Sequence, residues 1–122
     1  MSFNWYEYFD LAQFLHTNGN NLTKVTQESA YRSAVSRAYY AAFCHAREYV
    51  CKNYGFIPTK TGKDHKLVRN EFNRRGLNRT ANKLKVLHQW RKQCDYDNSV
   101  NGINSMVQKA IMITREIFKA LW

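Results

Sequence analysis

Residues Thr26–Tyr54 read TQESAYRSAVSRAYYAAFCHAREYVCKNY, and this stretch decides the fold. Tyr31, Val35, Ala38, Ala42, His45 and Tyr49 recur in steps of four and three, the spacing of one helical face. Ala30, Ala34, Ala41 and Ala46 put small side chains near that seam, where a second helix can approach closely. The pattern predicts a long central helix, with Thr26 as its N-cap and Gly55 just beyond its end.

On the N-terminal side, a first helix is expected from about Asn4 to His16. Trp5, Phe9, Ala12 and Leu15 form its apolar stripe, which Tyr8 and Leu11 widen, and Asn18–Asn21 reads as a turn. On the C-terminal side, Phe56–Gly62 holds the chain's only proline, Pro58, and reads as a loop free to move. A third helix is expected from a capping Asp64 to just before Gly76, and a fourth from near Asn78 to about Cys94. Asp95–Gly102 is turn-like. A fifth helix follows, with Ile103, Met106, Val107, Ala110, Ile113, Thr114, Ile117 and Leu121 on its apolar face. The expected fold is all-α, a four- or five-helix bundle forming one domain over residues 1–122.

The net charge of +10 is concentrated in one region. Residues 61–94 carry ten basic and two acidic side chains, whereas residues 95–122 carry three of each. A basic middle between near-neutral ends fits a polyanion; the plainer reading is a solvated basic face. Three cysteines, odd in number and widely spaced, do not make a disulfide framework or a zinc site. A metal, a cofactor and a Gly-rich phosphate loop are not expected. The N-terminal ten residues do not read as a signal peptide, and no apolar run reaches the ~18 residues of a membrane span. A cytoplasmic protein without a membrane partner is expected.

The candidate site starts from Arg91-Lys-Gln-Cys-Asp95-Tyr96. Leu84, Leu87, His88, Arg91 and Asp95 share a helical stripe that begins apolar and ends charged. Read structurally, Arg91 and Asp95 are an i,i+4 ion pair. That order of base and acid is the weaker one, and an acid near a helix C-terminus opposes the dipole. Arg37 lies in the apolar run Ser36–Phe43 and calls for a partner, either Asp95 or an anionic ligand, unless it sits on an exposed edge. His65 opens a helix, where the dipole favours a neutral imidazole able to act as a base. His45, on the packing seam, reads as a core histidine. Lys63, Lys66, Arg69, Arg74, Arg75, Arg79 and Lys83 are the candidate phosphate contacts, with Tyr54, Phe56, Trp90 and Tyr96 the nearby aromatics. Trp90 and Phe72 read equally well as core.

The run Ser36-Arg-Ala-Tyr-Tyr-Ala-Ala-Phe43, followed by His65 at a helix start and by Arg91 with Asp95-Tyr96, resembles the HEPN domain (higher eukaryotes and prokaryotes nucleotide-binding) over nearly the whole chain. The resemblance implies an antiparallel bundle and a homodimer. It also implies a toxin–antitoxin or defence setting, with a nucleotidyltransferase-like antitoxin as partner. Many such proteins are metal-independent endoribonucleases that use an Arg and a His with four to six residues between them. Here Arg91 is followed at those spacings by Tyr96, Asp97 and Asn98, so the histidine is missing. Two functions follow as expectations. One is a module that binds RNA or a nucleotide and acts with a partner. The other is an endoribonuclease in which Arg91 and Arg37 stabilise the phosphate, Asp95 orients an arginine, and His65 or Tyr96 replaces the missing base.

Overall fold

Residues 24–54 form one unbroken helix, α2 (Lys24–Tyr54), in a computed structural model of the chain that describes residues 3–122. Around it stand α1 (Tyr6–Gly19), α3 (Asp64–Arg74), α4 (Asn78–Tyr96) and α5 (Ile103–Ala120). Ala34, Ala38, Ala41, Ala42 and Ala46 are all fully buried. At 3.6 residues per turn they share one broad arc of α2, and α2 packs against each of the other four helices. Small side chains across that arc let neighbouring helices approach α2 closely. The fold is an all-α helical bundle.

Cross-helix contacts give the directions. Gly19 meets Tyr31 while Tyr8 meets Arg37 and Trp5 bonds Glu48, so α1 runs antiparallel to α2. Arg32 reaches the carbonyl of Cys94 while Tyr39 stacks on His88, so α4 is antiparallel to α2 as well. Phe43 stacks on His65 and Tyr49 on Phe72, which makes α3 parallel to α2. Thr114 donates to the Ala38 carbonyl and His45 meets that of Leu121, so α5 is parallel too. No helix among the described residues is long and apolar enough to cross a membrane.

Several boundaries differ from the sequence expectation. α2 begins two residues before Thr26, with Thr23 as its extended N-cap residue; the two threonine hydroxyls bond each other at 2.9 Å instead of capping the backbone. α1 continues through Gly19, so the turn comes later than Asn18. Leu11 points outward at 40% exposure and does not widen the core stripe. α4 runs two residues past Cys94, which places Asp95 and Tyr96 on helix. Gly55 closes α2 as expected, with φ +68° and the N–H of Phe56 returning to the Val50 carbonyl.

Asp64 does not cap α3 from outside; it is the first residue of the helix, and it is buried. Its carboxylate accepts from the Thr59 N–H and the Lys60 N–H, both at 3.0 Å, and from the Thr59 hydroxyl at 2.7 Å. Burial acts to raise its pKa, but these hydrogen bonds outweigh it and hold the acid below its ordinary value. The loop expected to move is thus pinned to the start of α3, and it fixes where His65 emerges.

Candidate functional site

Three helices deliver one cluster. α2 presents Ser36, Tyr39, Tyr40 and Phe43; α3 presents His65 and, one turn on, Arg69; α4 presents His88, Arg91 and Asp95 in steps of three and four. The flanking Val68, Phe72, Leu84 and Leu87 are buried, so the packing of α3 and α4 on α2 sets the position of each polar group.

The rings form a stack. His65 lies 4.4 Å from Phe43 and 4.5 Å from His88, with the two imidazole planes only 10° apart. Tyr39 stacks on His88 at 5.1 Å, and its hydroxyl bonds His65 Nδ1. Arg69 Nη1 lies 3.3 Å from His88 Nδ1.

These contacts assign the protons. Tyr39 is fully buried, and burial pushes its phenol well above the ordinary value, so it keeps its hydrogen. That hydrogen has one acceptor among the described residues, His65 Nδ1, and a buried hydroxyl must donate. Arg69 is always a donor, so His88 Nδ1 accepts from it. Both imidazoles therefore carry their hydrogen on Nε2. Neither Nε2 has a protein partner or is a buried orphan among the described residues, so both donors are open to solvent. Burial, then Arg91 and Arg69, lowers the His65 pKa. Burial and then the neighbouring His65 bring His88 down to about 4. At pH 7 both rings are neutral donors.

Arg91 lies over Tyr40 at 5.1 Å and over Tyr96 at 5.5 Å. Its Nε is 2.8 Å from Asp95 Oδ2, an ion-pair distance, but the N–H is not aimed at the carboxylate and remains a buried donor without a hydrogen bond. Ser36 steadies the same Asp95 oxygen at 3.3 Å. Asp95 is therefore the partner of Arg91, not of Arg37. Arg37 lies over the rings of Tyr8 and Tyr40 instead, at 4.9 and 5.5 Å. His65 also meets Tyr40 edge-on at 6.5 Å, so Arg37, His65 and Arg91 converge on this half-buried tyrosine.

The basic residues divide. Arg69 belongs to the cluster, and Lys63 and Lys66 are exposed on the turn that carries His65. Arg74 pairs with Glu71 at 3.0 Å, Arg75 covers Tyr54 at 4.4 Å, and Lys83 pairs with Glu116 at 3.6 Å. Arg79 is exposed in the first turn of α4, ~18 Å along the axis from Arg91. Trp90 and Phe72 pack with the core, and Tyr96 remains exposed. His45 bonds the Leu121 carbonyl at 3.1 Å, as a core histidine should. Cys44 is buried and its thiol is pushed up to about 11, which makes it a poor nucleophile. Among the described residues no three metal-ligating side chains are grouped.

From sequence, His88 is only a member of the Arg91 stripe and Arg69 only a candidate phosphate contact. The contacts of His88 with His65 and with Arg69 depend on the register of α3 against α4, which helical periodicity does not carry. Compared with family models, with curated proteins and with solved structures, the chain finds no match in any of the three.

Proposed function

We propose that this chain binds RNA by its phosphates at the cluster of His65, Arg69, His88 and Arg91, and that it binds without cleaving. One observation carries this reading: the acceptor nitrogens of both histidines are already occupied, by Tyr39 and by Arg69, so the imidazoles offer an incoming ligand only N–H donors. Two neutral donors beside two guanidiniums are suited to the non-bridging oxygens of a phosphate. A general base needs an open lone pair, and this arrangement gives a 2′-hydroxyl none on either ring. The exposed lysines beside His65 extend the positive surface along a strand. The likeness of residues 36–43 and 91–96 to HEPN domains supports RNA as the ligand, while the missing histidine supports binding without cleavage; the likeness also adds a setting, a homodimer in a toxin–antitoxin or defence system with a nucleotidyltransferase-like partner.

The test is fluorescence anisotropy with a short labelled single-stranded RNA, between ~50 and ~200 mM salt. The affinity falls as salt rises, and Arg91→Ala weakens it about tenfold or more, the loss of one charge-assisted contact. RNA recovered after incubation in excess EDTA is intact. Salt-independent binding overturns the proposal. Cleavage by the wild type that Arg91→Ala abolishes replaces it with the endoribonuclease.

A further inference from the structure

Beyond the phosphate cluster, on the outer side of α4, lies an open groove of about 570 Å³ lined by Gln89, Lys92, Gln93, Tyr96 and Asp97. Tyr96 is 71% exposed, so a face of its ring is open to a ligand. The Arg91 guanidinium stands by this ring and also lies over Tyr40, so one side chain joins the groove to the cluster. The side-chain amides of Gln89 and Gln93 make no hydrogen bond among the described residues, and neither does the Asp97 carboxylate. Asp97 is nevertheless held in place. Arg32 donates to its carbonyl at 2.6 Å and to the Cys94 carbonyl at 3.1 Å, tying this end of α4 to α2.

From this we infer that the groove is a base subsite, taking an unpaired nucleobase of the strand whose phosphate lies at Arg91, with guanine preferred. The inference rests on the proposed phosphate reading. A flat exposed aromatic next to a guanidinium is a stacking platform for any base. Selectivity comes from Asp97, which as a carboxylate only accepts. Guanine is the base with two adjacent N–H donors, on N1 and N2, and a carboxylate accepts both at once. In adenine and cytosine the amino group adjoins a ring nitrogen whose lone pair would face the carboxylate. In uracil the single N–H is flanked by carbonyls. The free amides of Gln89 and Gln93 supply donors for guanine O6 and N7, and Lys92 supplies a cation for the adjoining phosphate.

The experiment compares equal-length uridine oligonucleotides carrying one central G, A or C, measured by anisotropy with wild type, Tyr96→Ala, Asp97→Asn and Arg91→Ala. The wild type is expected to bind the G oligonucleotide about tenfold more tightly than the A or C ones. Asp97→Asn brings that ratio to near one, and Tyr96→Ala weakens all of the oligonucleotides about fivefold or more. Equal binding of all of them by the wild type, or a ratio unchanged in Asp97→Asn, overturns the base subsite. If Arg91→Ala weakens binding while Tyr96→Ala does not, the subsite falls and the phosphate reading stands. No binding by the wild type overturns both.

Discussion

At pH 7 the imidazole of His88 is neutral because it is half-buried and stacked on a second imidazole, with Arg69, Arg91 and Lys92 nearby. Its pKa falls from the ordinary 6.5 to about 4 in the folded chain. Between those values the unfolded chain holds the proton and the folded chain does not. Stability from this group is therefore present above 6.5, is lost as pH falls toward about 4, and changes no further below that. A series of melting temperatures across this window should decline more steeply for the wild type than for His88→Gln. Equal slopes would show that His88 is not held neutral. A bound phosphate favours the protonated ring, so RNA affinity should rise over the same window as pH falls.

At the scale of elements, α2 carries the fold through its alanines. Ala42 is fully buried where neighbouring helices close on α2. Ala42→Leu should cost roughly 1–3 kcal/mol through overpacking, read as a lower urea midpoint. An unchanged midpoint would mean that α2 has room to spare on that face. The period of α2 and the alanines around it made the all-α bundle legible from sequence. Its start was not, because Thr23 and Thr26 are the same residue type one turn apart and either satisfies the pattern for a cap. Asp64 was misplaced for a related reason: an acid at a helix start normally caps its own helix, whereas this one serves the preceding loop. In the site, Arg37 and Arg91 stood out as charges on apolar stripes. The His65–His88 stack did not, since it joins two helices whose mutual register is decided by Val68, Phe72, Leu84 and Leu87.

At the scale of the whole molecule, the net charge of +10 is not one continuous footprint. Arg74 and Lys83 are paired with acids and Arg75 is spread on Tyr54, while Arg69, Arg91, Lys63 and Lys66 mark the turn and face that hold the two histidines. The function proposed for that face depends on where two hydrogens sit. The most direct measurement is ¹⁵N imidazole NMR of the histidine-labelled protein at pH 7, with and without a short single-stranded RNA. Neutral rings protonated at Nε2 are expected for both His65 and His88, with their Nε2 resonances moving on addition of RNA. A ring protonated at Nδ1 with a bare Nε2, or resonances indifferent to RNA, would contradict the donor site and return the cluster to a base or to a purely structural stack.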